Sequence, residues 1–261
     1  MPADADPSNG HIEVIALAGI PEVEPGSDLP ELLCDAIGAS TAAPLLGSDV
    51  LVVTQKIVSK AEGAVVDLRT VEPRPEARDY ARRFDRDARQ IEVVLREARR
   101  VVRMENGVLI TETPHGFVCA NGGVDASNVG PGSGSIVTLL PSDPDASARR
   151  IRERVGERLG VDVPVIVSDS FGRPWRFGIM DVAIGLSGMI PLEDLRGVPD
   201  HDGRIMRSTV RAVADELASA AELAFGKTTG RPAAIIRGSR VTRGEGSIRD
   251  VLMPAETDLF R

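Results

Sequence analysis

Short apolar runs alternate along the chain with segments of helical periodicity. The apolar runs predict buried strands at 12–17, 49–53, 136–140, 163–167 and 232–238. Helical spacing predicts helices at 28–38, 143–159 and 209–225. The first has Asp28 as its cap, and Gly226 ends the last.

The middle of the chain has a different pattern. Residues 73–100 have apolar positions spaced for one face of a helix, with charged residues around them. Asn106-Gly107 then separates two strand-like runs, which predicts a hairpin. Because strands and helices are intermixed around this meander, the fold class is predicted as α/β (mixed α+β).

Composition narrows the possible classes of protein. The 261 residues fit one large domain or two small ones, and no apolar stretch approaches the roughly 20 residues that span a bilayer. Residues 1–10 resemble a disordered lead-in, with neither the basic nor the apolar region of a signal peptide. Two cysteines and a net charge of −8 favour a cytoplasmic protein that does not bind nucleic acid.

Two aspartates stand among small residues after apolar runs, and we therefore expect both at strand ends. Asp125 lies in Asn121-Gly-Gly-Val-Asp125-Ala-Ser-Asn128, and Asp169 in Val167-Ser-Asp169-Ser170-Phe-Gly172. Carboxylate and hydroxyl oxygens are ligands that a hard divalent cation prefers, so these turns together indicate a metal site. The alternative is that each aspartate only caps a turn.

Lysine is rare in this chain. Of 31 basic residues only Lys56, Lys60 and Lys227 are lysines, and the first two follow the strand at 49–53. A lysine at a strand end can neutralise phosphate as a compact cation, although two solvated lysines are the simpler interpretation. Neither a GxxxxGK[ST] loop nor a GxGxxG turn after a strand is present.

Other polar segments leave alternatives open. Arg173 and Arg176 could bind carboxylates or phosphates, or could lie along an ordinary packing residue, Trp175. The loop at 237–247 could close over a ligand or be plain surface. The three scattered histidines make zinc an unfavourable interpretation, and no GxSxG nucleophile motif occurs.

Taken together, these runs resemble the coenzyme F420-0:L-glutamate ligase family. The strongest matches are Asn121-Gly-Gly-Val-Asp125-Ala-Ser-Asn128 and Ser168-Asp169-Ser170-Phe-Gly-Arg173-Pro-Trp-Arg176. Further matches lie at 17–22, 49–63, 181–185, 214–218, 244–247 and 258–260. The nitroreductase domain that follows the ligase in actinobacterial relatives has no counterpart in these residues.

The resemblance implies a GTP-dependent amide ligase with an F420-ligase-like fold, in which 11–261 form the catalytic domain with a central lobe near 70–195. Such enzymes join L-glutamate to the carboxylate of F420-0, add further γ-linked glutamates, and release GDP and phosphate through an acyl phosphate. The resemblance also implies Mn²⁺ or Mg²⁺, K⁺ as a further cation, and an intertwined homodimer.

By the same resemblance, each matching residue takes a role. Asp125, Asp169 and Lys60 are implied as catalytic, and Asp125, Asp169 and Ser170 as metal ligands. The implied nucleotide contacts are Ile20, Pro21, Glu22, Val23, Gln55, Lys60, Asn128, Gly226 and Lys227.

One segment departs from the family pattern. The family usually has Asn-Gly-Gln-Thr-Asp after Trp-Arg, whereas this chain has Phe177-Gly-Ile179-Met180-Asp181. These apolar positions leave two alternatives beside the F420-0 ligase, namely a γ-glutamyl ligase with another acceptor and a non-catalytic nucleotide- or deazaflavin-binding homologue. A metal-dependent phosphohydrolase is a third alternative, which is consistent with the two aspartates but not with the other matched runs.

Overall fold

A computed structural model describes residues 10–127 and 134–258. Residues 1–9 of the predicted lead-in at 1–10 and most of the predicted loop at 130–134 lie outside these residues. The helices are α1 (Leu29–Gly38), α2 (Gln55–Ala61), α3 (Pro75–Phe84), α4 (Ala88–Glu97), α5 (Pro144–Leu159) and α6 (Val213–Phe225). The strands are β1 (Glu13–Ala16), β2 (Val50–Thr54), β3 (Val65–Asp67), β4 (Arg100–Glu105), β5 (Val108–Glu112), β6 (Val118–Ala120), β7 (Ile136–Thr138), β8 (Val165–Arg173), β9 (Arg176–Ser187), β10 (Glu193–Asp194), β11 (Val210–Arg211) and β12 (Ala233–Arg237).

A five-stranded mixed sheet forms the centre of the fold, in the order β1-β12-β2-β8-β9. Its strands are antiparallel except for β2 and β8, which run parallel with Thr54 opposite Ser168. The inner strands are continuous apolar runs because helices α1, α5 and α6 contribute to the same core. The mixed α/β class is therefore confirmed.

A second, smaller hydrophobic core lies beside the first. It joins α3 and α4 to the β4-β5-β6 meander and the β3–β7 pair, with Tyr80, Val94, Leu109 and Val137 among its buried side chains. Asn106 and Gly107 both have positive φ between β4 and β5, which confirms the predicted hairpin. The chain thus builds two cores, and any site between them draws on both.

Three sequence predictions were wrong in detail. The helical segment at 73–100 is two helices, because Asp85 adopts a left-handed conformation (φ 51°) and ends α3. The helix predicted from residue 209 begins at Val213, because 210–211 pair with β10 instead. Asp169 does not end its strand, since β8 continues to Arg173 and returns as β9.

No helix within the described part of the chain is both long and apolar enough to cross a membrane.

Candidate active site

The parallel pair β2–β8 places two polar segments at one edge of the sheet. β2 leads directly into α2, whose first turn carries Gln55 and Lys56. On β8 the buried apolar run changes at this level to Ser168, Asp169 and Ser170. The carboxyl ends of parallel strands are where α/β sheets commonly bind ligands, so this edge is the candidate site.

A tight left-handed turn brings Asp125 to the same edge from the second core. Asn121, Gly122 and Gly123 all have positive φ (54°, 60° and 72°), a region that glycine adopts without strain and asparagine tolerates. Beyond the turn, Asp125 and Thr138 exchange backbone hydrogen bonds of 3.1 and 2.8 Å, which fix the aspartate to β7.

Asp125 is held in its ionised form. Its carboxylate lies 2.7 Å from Lys56 Nζ and accepts hydrogen bonds from the backbone N–H (2.7 Å) and the hydroxyl (3.0 Å) of Ser127. Burial works against ionisation, but the Lys56 ammonium and the Ser127 donors outweigh it, so the pKa of Asp125 lies below its ordinary value. Lys56 therefore links the two cores across the site.

Asp169 is in the opposite electrostatic state. Burial raises its pKa to about 7, and the negative charges of Asp181 and Asp125 add to the effect. The buried thiol of Cys119 lies beside it, with its pKa raised to about 12 by burial and by the Asp169 charge. This corner of the site carries more negative charge than the neighbouring lysines neutralise.

Ser170 belongs to a separate network. Because side chains alternate along a strand, Ser170 lies on the face of β8 opposite Asp169. Its hydroxyl donates to Asp181 Oδ1 (2.7 Å), and Ser168 donates to Asp181 Oδ2 (2.9 Å). Lys227 Nζ contacts Ser170 Oγ and lies 2.8 Å from Asp181 Oδ1 and 2.6 Å from Glu222 Oε1.

The predicted nucleotide contacts are distributed over several places. Lys60 is buried and paired with Glu22, so the 20–23 turn and α2 meet there. Gln55 uses its amide N–H groups on Ser59 Oγ (2.6 Å) and Leu139 O (2.8 Å). The remaining members of the 20–23 turn differ in burial, with Val23 buried, Ile20 partly buried and Pro21 exposed.

The predicted contact at 226–227 belongs to the network of Ser170 and Asp181, because Lys227 contacts both side chains. Gly226 ends α6 with positive φ (56°), and Lys227 turns back onto the sheet. Asn128 lies outside the described residues. The nucleotide contacts all remain predictions.

The donor set at this edge fits a hard divalent cation only in part. Asp125 and Asp169 supply carboxylate oxygens close enough for their charges to interact, and burial raises the pKa of Asp169 although the Lys56 charge opposes the shift. Within the described residues no group of three or more His, Cys, Asp or Glu side chains could hold a metal alone. Two carboxylates with water or phosphate oxygens suit Mg²⁺ or Mn²⁺. The Ser170 hydroxyl points to Asp181 and Lys227 instead.

Sequence reasoning gives no role to Asp181 or Glu222, although both contact Lys227. Asp181 follows an apolar run, and no spacing marks it as a partner of Ser168 and Ser170. Lys56 is a candidate phosphate-binding cation by sequence but is absent from the implied site residues. The scarcity of lysine is the available signal, because all three lysines form ion pairs around this edge of the sheet.

Fold and site define a mixed α/β protein with a charged candidate site between two cores. The F420-0:gamma-glutamyl ligase family model matches residues 19–238. The chain is 46% identical over 245 residues to the coenzyme F420:L-glutamate ligase of Methanopyrus kandleri, covering 92% of this chain and 94% of that protein. It is 42% identical over 253 residues to the enzyme of the same name from Methanothermobacter thermautotrophicus, covering 96% and 99%.

A match of this length and identity shows the family. The chain belongs to the F420-0:gamma-glutamyl ligase family, as its sequence motifs predicted.

Proposed function

We propose that this protein is a GTP-dependent ligase that joins the amine of L-glutamate to the carboxylate of coenzyme F420-0. The carboxylate oxygen attacks the γ-phosphorus of GTP, and the bond from that phosphorus to the GDP oxygen breaks. The glutamate amine then attacks the carbonyl carbon of the acyl phosphate, loses a proton and expels phosphate. Further cycles add γ-linked glutamates.

The observation that carries this proposal is the meeting of Lys56, Asp125 and Asp169 at the carboxyl edge of β2 and β8 in a chain of this family. Such a reaction needs no covalent nucleophile from the protein. It needs charge at the phosphates and a fixed distance between carboxylate and phosphorus. The charge is available from Lys56 on α2, from Asp169 on β8 and from Asp125, whose backbone pairs with β7.

Each charged side chain has a distinct task in the proposal. Lys56 and Lys60 neutralise phosphate oxygens from α2, with Glu22 orienting Lys60 before the nucleotide binds. Asp125 and Asp169 would hold Mn²⁺ or Mg²⁺, which supplies Lewis-acid charge neutralisation to the transferred phosphoryl group. Such a cation would favour the ionised form of Asp169.

The setting of the reaction follows from the same resemblance. We place the enzyme in the cytoplasm as a homodimer, acting on small molecules, with no nucleic acid or membrane partner. K⁺ is proposed as a further cation.

The tip of the β8–β9 hairpin bears on the identity of the acceptor. Phe177 is fully exposed and Ile179 is 60% exposed on β9, a few residues before Asp181. An apolar tip beside the site favours an acceptor with a large apolar or aromatic part. This is compatible with a deazaflavin and also with a different γ-glutamyl acceptor.

One incubation tests the function. The protein is mixed with GTP, Mn²⁺, L-glutamate and F420-0, and the products are analysed by mass spectrometry. A mass increase of one or more glutamyl residues together with an equal amount of GDP is expected. GDP without an adduct would instead indicate a phosphohydrolase, and binding without turnover a non-catalytic homologue. Replacing F420-0 by other carboxylate acceptors distinguishes a changed acceptor from a missing activity.

A further inference from the structure

The ammonium of Lys227 is surrounded by oxygens from three elements. It lies 2.8 Å from Asp181 Oδ1 on β9 and 2.6 Å from Glu222 Oε1 on α6, and it contacts Ser170 Oγ on β8. An ammonium has three N–H donors, so this arrangement gives every donor an acceptor. The burial of the stem opposes the charge, but Asp181 and Glu222 outweigh it and raise the pKa of Lys227.

The oxygens around this ammonium are fixed by contacts that do not involve the lysine. Asp181 accepts hydrogen bonds from Ser168 (2.9 Å) and Ser170 (2.7 Å), and its own backbone N–H donates to Glu222 Oε2 (2.9 Å). The Ser219 hydroxyl donates to the backbone oxygen of Asp181 (2.7 Å), which further ties α6 to β9. The three oxygens would therefore stay together if the lysine side chain were removed.

The Asp181 carboxylate requires a cation. Its side chain is only 2% exposed, and a buried carboxylate without a counter-charge is strongly unfavourable. Lys227 supplies that charge from the end of α6, where Gly226 reverses the chain. The other basic residues of this chain are nearly all arginine. A lysine at this position therefore indicates a site that fits a compact ammonium rather than a planar guanidinium group.

We propose that Lys227 is a tethered cation that fills a cation site made by Ser170, Asp181 and Glu222, in place of an exchangeable ion. This site is separate from the Asp125–Asp169 pair, because Ser170 and Asp169 lie on opposite faces of β8. The ligands left for a divalent ion are then Asp125 and Asp169, and the Ser170 hydroxyl serves Lys227. The effect on turnover rests on the proposed ligase function, whereas the effect on cation binding does not.

Removal of the ammonium tests the proposal directly. We compare wild type, Lys227→Ala and Lys227→Met, where methionine keeps most of the stem without the charge. Thermal unfolding is followed without divalent ions in choline chloride, which is replaced stepwise by ammonium, methylammonium or potassium chloride at constant ionic strength. In choline chloride, the midpoint of thermal unfolding of both variants should lie a few degrees below that of wild type. A small cation should raise this midpoint up to a plateau, because a ligand that binds only the folded state stabilises it.

Two comparisons make the result decisive. The double variant Lys227→Ala with Glu222→Gln removes one carboxylate from the site, and we expect at least tenfold weaker recovery than in the single variant. Wild type should show no recovery, because its site is filled. If both single variants match wild type in choline, or respond to these cations no more than wild type does, the proposal is wrong.

Turnover gives the second readout. Methylammonium should restore activity to Lys227→Ala and leave wild-type activity unchanged. If wild type itself has no ligase activity, the proposed function fails while the thermal result still decides the cation site.

Discussion

At the scale of single residues, Asp169 combines a proposed metal-binding position with an unfavourable charge. It lies among other carboxylates, and burial raises its pKa to about 7. A buried carboxylate in this state costs stability in the metal-free protein, and a bound cation would add the counter-charge that Lys56 supplies only in part. Function and stability should therefore respond in opposite directions when its charge is removed.

Asp169→Asn should abolish most turnover without unfolding the protein. Loss of one metal-binding charge should lower Mn²⁺-dependent turnover by about 100-fold or more, whereas the metal-free free energy of unfolding should stay equal or rise. Steady-state kinetics and urea unfolding in EDTA measure the two effects. Asp35→Asn on the exposed side of α1 is the control. Near-normal turnover in Asp169→Asn would exclude it as a metal ligand.

Glu92 shows how a buried charge stabilises the second core. Its side chain is 3% exposed and accepts hydrogen bonds from Arg74 (2.9 Å) and Arg96 (2.7 Å), which hold its pKa down to about 2. Because the folded pKa is below the unfolded value near 4.5, this carboxylate stabilises the fold above that pH. The contribution is lost as the pH falls from there towards 2.

Glu92→Gln should therefore destabilise the protein at neutral pH by about 1–3 kcal/mol, the usual range for hydrogen bonds to charged groups. The difference from wild type should shrink as the pH is lowered from 4.5 towards 2. Urea unfolding at pH 7, 4 and 3 measures it, with Glu97→Gln on the same helix as control. A difference that does not depend on pH would show that the ion pairs are not its cause.

At the scale of elements, the left-handed turn at 121–123 connects the second core to the site. A Cβ on Gly123 would come within 2.6 Å of the Leu140 side chain, in addition to the cost of positive φ. Gly63 has the same φ of 72°, but a Cβ there would meet no atom within 4 Å. The pair separates backbone strain from steric overlap.

Gly123→Ala should cost about 2–4 kcal/mol of unfolding free energy, of which about 1 kcal/mol is backbone strain. Gly63→Ala should cost only the strain. Gly123→Ala should also lower turnover, because the turn positions Asp125, while Gly63→Ala should leave kcat near wild type. Urea unfolding and steady-state kinetics of both variants provide the comparison. Equal destabilisation by the two changes would show that Leu140 yields to the extra methyl group.

The sequence predicted elements where a local signal is strong and failed where tertiary contacts decide. Asp28, Asn106 and Gly226 mark their turns and caps through their own side chain or φ, so α1, the β4–β5 hairpin and the end of α6 were all predictable. The break at Asp85 has no glycine or proline to announce it. Nor does any local pattern reveal that β8 continues beyond Asp169 to pair with β9.

The candidate site was predictable residue by residue but not as an arrangement. Asp125 and Asp169 stand out by their flanking small residues, and the family motifs include both. Ser170 and Asp169 point to opposite faces because strand β8 runs through both residues. That continuation is established only by the pairing of β8 with β9. The contacts of Asp181 with Ser168, Ser170 and Lys227 join positions up to 46 residues apart, beyond the reach of any motif.

At the scale of the whole molecule, the site is also the junction between two hydrophobic cores. Asp125 is flanked by residues of the smaller core, whereas Lys56 and Asp169 stand on elements of the larger one. The Lys56–Asp125 ion pair spans the junction at 2.7 Å. A ligand bound to both aspartates would therefore connect the two cores at this edge.

Mn²⁺ and GTP together should then stabilise the molecule as one unit. At 100 times the dissociation constant a ligand contributes about 2.7 kcal/mol, which corresponds to roughly 5–10 °C in a protein of this size. Unfolding should remain a single thermal transition. The rise of its midpoint with both ligands should exceed the sum of the rises with each ligand alone. EDTA or Asp169→Asn should remove the effect of the metal, and ATP in place of GTP should give a smaller shift.

Hydrogen exchange locates this coupling. If bound Mn²⁺ and GTP join the cores, amide exchange should slow in α2 and β8 and also in α4 and β5, although α4 and β5 carry none of the proposed binding residues. Protection confined to α2 and β8 would mean that the ligands bind the larger core alone and that Asp125 takes no part. Asp125 is the proposed metal-binding residue on the side of the smaller core. Asp125→Asn should therefore remove the protection of α4 and β5 before that of α2 and β8.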